Sequence, residues 1–287
     1  MSISGRAILA GVIGYPVAHS LSPRLHSYWL REYAIDGAYI PLPVARESFA
    51  TVIASLRAAD FAGVNVTVPH KEAAFALAER HDRAALMSGA VNLLVFRGGH
   101  IEGCNSDVAG LVASLGENLG HEALRGAAVA VLGAGGAARA ALLALDAMGA
   151  AEIRILARNV ARAESLVRDL PTATAAILRP FAWSAWPIAA SGTALLLNAT
   201  SAGLRGKSAL SLSLDDLPPD AAVCDIVYDP LETELLKTAR ARGHTVIDGL
   251  GMLMHQAVPA FAAFYGVTPK VTPALRLELE KALVHGG

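Results

Sequence analysis

"GAAVAVLGAGGAARAALLALDAMGA" (residues 126–150) reads as a short apolar strand, a glycine turn and a long apolar helix. The strand "AVAVL" runs into Gly133, Ala134, Gly135, Gly136, Ala137 and Ala138, a G-x-G-x-x-A arrangement with one added glycine. The first glycine permits the turn, the second removes a side chain where a pyrophosphate would approach, and the alanine lets the helix pack closely on the strand. The first helical amides then face phosphate. A plain tight turn would use similar residues, but the position between strand and helix favours a dinucleotide site. With "AEIRILARNVARAESLV" (151–167) following, the stretch opens a parallel βαβ domain.

The end of the next strand bears on which dinucleotide. An NAD site commonly offers an acidic residue to the ribose diol about 20 residues past the glycines. This chain instead has Ala157, Arg158 and Asn159, with Arg162 one turn onward. The two arginines suit the 2′-phosphate of NADP, or else solvate the start of a helix.

Composition narrows the remaining classes. The chain has 287 residues, 54% of them hydrophobic and 17% charged, with a formal charge of −1. That is enough for more than one core, and no overall field gathers nucleic acid or an anionic membrane. Cys104 and Cys224 lack the close partners of a zinc cluster or redox pair and read as small buried side chains. The first residues lack a secretory pattern, so a reducing cytoplasm is expected. Two long uncharged stretches, Pro180 to Leu204 and Gly249 to Pro269, carry prolines and polar groups that argue against membrane spans.

Upstream of the glycine turn, short strands and helices alternate. "ILAGVIG" is followed by a helix near Ser22 and Pro23, with Ser22 as its cap, then by "AYIPLPV" and a helix from about Arg46 to Ala59. In "GVNVTVPHKEAAFALAER" (63–80) a buried strand turns into a helix, with Pro69 in an early helical position and Ala74, Leu77 and Ala78 as its packing stripe. Lys71 then lies in the first turn, beside Asn65, Thr67 and His70. Downstream, "TALLLNAT", "AAVCDIVY" and "HTVID" continue the sheet of the second domain, and two helices near Met252–Phe264 and Pro273–Val284 end the chain.

Polar residues gather where these strands end: Ser20, Ser22, Asn65, Thr67, Lys71, Asn92 and Asp107. The serines either bind a carboxylate or cap a helix. Lys71 and Asp107 are either a surface ion pair or a proton-transferring pair, which a secondary alcohol losing hydride to nicotinamide would need. A first-turn position sets the Lys71 charge against the positive end of the helix dipole. His19, His26 and His70 show no metal-ligand spacing, and no metal is expected; His70 is expected to be oriented or solvent-facing.

"GYPVAHSLSP", "GVNVTVPHK", "GAVN", "CNSD", "VLGAGGAARA", "NATSAGL", "DIVYDPLETELL" and "GLGMLMHQA", in that order, resemble the shikimate dehydrogenase family across most of the chain. The resemblance implies an α/β protein with an N-terminal substrate-binding domain (1–109), a Rossmann-like NADP-binding domain (110–248) and C-terminal helices (249–287) returning to the first, with a cleft between the domains. It implies NADP-dependent interconversion of shikimate and 3-dehydroshikimate by a monomer or homodimer, with no nucleic acid or membrane as partner. Lys71 resembles the catalytic acid/base and Asp107 its assistant. Ser20 and Ser22 match binders of the substrate carboxylate, Asn92 and Asp107 match binders of ring hydroxyls, and Thr67, Tyr228 and Gln256 line the same pocket. Asn198, Thr200, Ser201, Gly249 and Met252 match positions beside the cofactor. Leu93 and Ser106 stand where threonines are common, and "LARN" lacks the fuller Asn-Arg-Thr pattern. A quinate-preferring enzyme and a noncatalytic NADP-responsive protein are the alternatives.

Overall fold

The structure is a computed structural model and describes residues 3–170 and 174–284. The chain divides into two compact units, Met1–Ser106 with Gln256–Gly287, and Asp107–His255.

In the first unit the elements run β1 (Ile8–Gly14), α1 (Ser22–Glu32), β2 (Gly37–Pro43), α2 (Phe49–Ala58), β3 (Gly63–Val66), α3 (Lys71–Leu77), β4 (Arg80–His81), α4 (Arg83–Ser88), β5 (Leu93–Arg97) and β6 (His100–Cys104). They form a mixed sheet in the order β2-β1-β3-β5-β6-β4, antiparallel at β3/β5 and β5/β6 and parallel elsewhere. Every residue of β3 is buried, as expected of a central strand covered on both faces. Ile13, Ile53, Val64 and Leu94 form the heart of one core. Each such side chain contributes about 1.5–3 kcal/mol on leaving water.

The second unit is an all-parallel sheet. Its elements are α5 (Asp107–Leu119), β7 (Ala128–Leu132), α6 (Gly136–Ala147), β8 (Glu152–Ala157), α7 (Val160–Asp169), β9 (Ile177–Ala182), α8 (Trp186–Ala190), β10 (Thr193–Asn198), β11 (Ala222–Asp225), α9 (Glu234–Ala241) and β12 (Val246–Ile247). The strand order is β12-β11-β10-β7-β8-β9. After β9 the chain returns to pair β10 beside β7, so the winding reverses between these two strands. In such sheets ligands bind outside the carboxyl ends of the strands at that reversal. Helix α10 (Gly249–Tyr265) begins in this unit and ends in the first, where α11 (Pro273–Val284) also lies. None of the described helices is long and apolar enough to cross a membrane.

Several local expectations change. Helix α1 begins at Ser22 with Leu21 in the cap position and no side-chain cap; the Ser20 hydroxyl accepts from the Ser22 amide at 3.3 Å. Pro69 precedes α3, which is capped at His70 and opens on Lys71 itself. Cys224 is buried but Cys104 is only half-buried. "RPFAWSAWPIAASG" contains the end of β9 and the short helix α8, with Trp186 buried in the core.

Candidate functional site

Of the four polar residues around the β3–α3 hinge, two are used inside the fold. Asn65 is buried; its Oδ1 accepts from the Tyr39 hydroxyl at 2.8 Å and its Nδ2 donates to the Asn92 carbonyl at 3.2 Å. His70 is buried as well, with Nε2 2.7 Å from the Val44 carbonyl and the ring stacked on Phe49 at 4.7 Å. Of the two expected states, oriented or solvent-facing, His70 takes the first: the apolar side of the hinge holds it. Thr67 and Lys71 remain half-buried.

The backbone then sets Lys71 beside Asn92. The Lys71 carbonyl accepts from the Val91 amide at 3.0 Å, while the Val66 amide donates to the Asn92 carbonyl at 2.8 Å. The Asn92 Oδ1 accepts from the Ser106 amide at 2.8 Å, and its Nδ2 donates to the Ser106 hydroxyl at 3.0 Å. That hydroxyl lies 3.5 Å from Gln256 Oε1. A hydrogen bond between Ser22 and Tyr39 extends the chain of polar groups. Burial holds the Tyr39 hydroxyl well above its usual pKa, so it remains a neutral donor to Asn65. The network joins Ser22, Tyr39, Asn65, Asn92, Ser106 and Gln256, all in the first unit, and fixes the loops from which Lys71 and Asn92 project. Sequence reasoning had no signal for Tyr39, a lone aromatic in β2.

Leu93, only 2% exposed, is buried in β5, so the position after Asn92 offers the loop no hydroxyl. Asp107 is buried at the start of α5. Tyr228 and Met252 are half-buried residues of the second unit, and Gly249 is the buried first residue of α10.

The second unit holds a cavity of about 970 Å³ at the carboxyl ends of β7, β8 and β10. Gly133, Ala134, Gly135, Ala157, Arg158, Asn159, Arg162, Thr200 and Ser201 line it, as do the unanticipated Trp183, Lys207 and Ser211. Gly133 has φ +113°, and a Cβ there would meet Thr200 Cγ2 at 3.0 Å and the Ala199 carbonyl oxygen at 3.1 Å. That conformation and crowding both require glycine. A Cβ on Gly135 or Gly136 would meet nothing within 4 Å, so the chain is bare where α6 begins. Gly136 and Ala137 open α6 and are not on the wall.

Asn198 lies beneath the wall. Fully buried, it accepts from the Thr200 amide and hydroxyl at 3.0 and 2.7 Å and donates to Asp225 Oδ1 at 2.9 Å. Asp225 also accepts from the Val227 amide at 3.0 Å and the Thr233 hydroxyl at 2.8 Å. Burial outweighs these donors and pushes its pKa up to about 6. The two side chains thus shape the loops after β10 and β11 and present Thr200 to the cavity. Asn159 caps α7 by accepting from the Ala161 amide at 3.1 Å. Among the described residues, no group of three His, Cys, Asp or Glu is arranged to hold a metal ion.

Known proteins match this architecture over its length. The family profile described as the shikimate dehydrogenase substrate binding domain matches residues 12–94. An NADP(+) shikimate dehydrogenase from Acidiphilium cryptum is 51% identical over 275 residues, 96% of each chain. The chain belongs to the shikimate dehydrogenase family. Among solved members, the Thermus thermophilus shikimate dehydrogenase in complex with NADP(H) and shikimate is 34% identical with a TM-score of 0.82, covering 97% of this chain and 99% of that one. A Corynebacterium glutamicum quinate dehydrogenase in complex with NAD is 30% identical with a TM-score of 0.88, covering 96% and 99%. The shikimate dehydrogenase family thus includes solved members named for either polyol and bound to either nicotinamide dinucleotide.

Two glycines of this family member separate folding from binding. A Cβ on Gly249 would fall on the Ile226 carbonyl and lie 2.8 Å from the Val227 carbonyl carbon, both backbone. Gly249→Ala is expected to cost about 1–3 kcal/mol and to lower the thermal midpoint by about 3–10 °C, read by calorimetry. Gly135→Ala, with open space around it, should leave the midpoint in place and weaken dinucleotide binding instead.

Proposed function

We propose that this chain is an NADP-dependent shikimate dehydrogenase that reversibly reduces 3-dehydroshikimate to shikimate, the alcohol and ketone of one ring carbon. The observation that carries this reading is the likeness to an NADP(+) shikimate dehydrogenase over 96% of both chains. The second unit fits the cofactor. Its cradle is bare at Gly135, the α6 amides begin there, and Arg158 and Arg162 line a cavity whose wall has no carboxylate. Bound NADPH supplies the hydride.

The protein's part is binding, orientation and the proton. Ser20 and Ser22 hold the substrate carboxylate, and Asn92, Thr67, Tyr228 and Gln256 place the ring. The Lys71 ammonium gives its proton to the carbonyl oxygen as that oxygen becomes a hydroxyl, and its amine takes the proton back in the reverse direction. Asp107 assists by holding the substrate hydroxyl and the lysine in register. Arg158, in place of an acidic residue at the end of β8, favours a 2′-phosphate over a free ribose diol. The substrate unit within 1–109, the cofactor unit within 110–248 and a cytoplasmic location belong to the same proposal.

Quinate is the second reading, favoured by the likeness to a quinate dehydrogenase. Initial rates with shikimate or quinate, each with NADP or NAD, decide between them. The expected result is a kcat/KM for shikimate with NADP at least about tenfold above each other pair, equivalent to about 1.4 kcal/mol. A dominant quinate rate would replace the substrate assignment, a dominant NAD rate the cofactor assignment, and no dinucleotide reduction with either polyol would remove the enzyme reading.

A further inference from the structure

The cations of the second unit fall into two groups. Among the described residues, every arginine and lysine of that unit lies within 4.0 Å of a carboxylate or is otherwise engaged, except Arg158, Arg162 and Lys207. All three line the one cavity above the glycine turn. No acidic side chain shares its wall. A cleft lined by charge of one sign concentrates counter-ions, and three unpaired cations converging on one cavity describe a site for a multiply charged anion.

Lys207 comes from a different part of the fold than the two arginines. Arg158 follows β8, whereas Lys207 follows β10, and these strands flank β7 on opposite sides. Its segment is tied at both ends. The Gly203 amide donates to the Ser208 carbonyl at 2.9 Å and the Lys207 amide to the Leu204 carbonyl at 2.8 Å, closing a turn. Arg205 anchors that turn to Asp229 through an ion pair at 2.8 Å and a backbone hydrogen bond of the same length. Farther on, Trp186 Nε1 donates to the Ser213 carbonyl at 2.6 Å, and Leu210 and Leu212 pack on the core beside Trp183 and Phe181. The strap therefore runs from the β10 end of the sheet toward α8, next to β9, and carries an exposed Lys207 along the cavity.

We propose that Lys207 is a specificity residue for the cofactor: it makes a third ionic contact to the 2′-phosphate, from the side of the cavity facing Arg158 and Arg162. The proposal rests on the NADP reading above. A 2′-phosphate is close to doubly charged at neutral pH, and a lysine serves it as a mobile point charge beside arginines that grip with fixed geometry. Lys207 also borders a smaller cavity with Glu232 and Glu234, but those carboxylates pair with Arg240 and Lys237 and leave Lys207 available to the phosphate.

The test is calorimetric titration of the full-length protein with 2′,5′-ADP and with 5′-AMP, which differ only in the 2′-phosphate. The proteins compared are the wild type, Lys207→Ala, Lys207→Arg, Arg158→Ala as a reference and Lys237→Ala as a control for losing an exposed lysine elsewhere on the unit. Lys207→Ala is expected to weaken 2′,5′-ADP binding about 5- to 20-fold, to change 5′-AMP binding less than about twofold, and to be partly rescued by arginine. Lys237→Ala should match the wild type. If the wild type binds both nucleotides equally, the NADP reading falls and this proposal with it. If the wild type prefers 2′,5′-ADP and Lys207→Ala loses nothing, or loses both nucleotides equally, Lys207 is not a 2′-phosphate contact and the NADP reading stands.

Discussion

Replacing Lys71 with alanine is expected to lower turnover by about two to four orders of magnitude while leaving NADP affinity within about twofold, because a positioned acid/base contributes on that scale. The expectation comes from where the fold spends its hydrogen bonds. His70, one residue before, is stacked and buried, and the Lys71 carbonyl is held by the Val91 amide next to Asn92. The backbone of the hinge is thereby fixed on both sides, and the side chain is left half-buried at the start of α3. Lys71→Arg separates charge from proton transfer. A guanidinium keeps the positive charge but does not release its proton, so this variant should be nearly as slow as alanine. Single-turnover reduction of 3-dehydroshikimate reads the chemical step directly. Near-normal rates for either variant would remove Lys71 as the proton donor.

His26 sets the second large expectation, on stability. It is 1% exposed, stacked on Tyr39 at 3.8 Å and surrounded by Trp29, Phe261 and Phe264, and its Nδ1 has no hydrogen-bond partner among the described residues. Burial among these rings lowers its pKa from 6.5 to about 3. The fold therefore holds His26 neutral, while the unfolded chain takes up a proton below about 6.5. Stability from this group is complete above that pH and is lost as pH falls toward the folded value. At pH 4.5 the loss reaches about 2–3 kcal/mol, from about 1.4 kcal/mol per pH unit. Urea unfolding midpoints measured from pH 7 to pH 4.5 should carry this loss in the wild type, offset in part by the opposite response of Asp225. His26→Phe, which keeps a ring against Tyr39 and cannot titrate, should show a shallower decline; an identical decline would place the acid sensitivity elsewhere.

What could be read from the sequence was local. The glycine turn announced itself because strand, Gly133, Gly135 and Ala138 are contiguous and each answers a steric demand of one short segment. Arg158 was visible for a similar reason, since the end of β8 stands at a fixed distance from that turn. The strand positions followed from apolar runs, yet the order β2-β1-β3-β5-β6-β4 did not, because pairing depends on partners remote in sequence. Side-chain type alone made Asn65 look like a group awaiting a ligand and left His70 either oriented or solvent-facing. Only the positions of Tyr39, Asn92, Val44 and Phe49 reveal that both are satisfied within the fold. Lys207 was invisible for the opposite reason. Nothing near it in sequence is unusual, and its meaning arises from the strap that carries it to a cavity built by other strands.

The buried carboxyl of Asp225 gives the second unit an acid response of its own. Its raised pKa means that the folded unit holds a proton more tightly than the unfolded chain does. Its contribution is therefore fullest below the unfolded carboxyl pKa near 3.9 and diminishes as pH climbs through about 6. Mild acid thus firms the scaffold under Asn198 and Thr233 while it loosens the aromatic core around His26. One polypeptide thus carries two buried titrating groups of opposite sense, one in each unit.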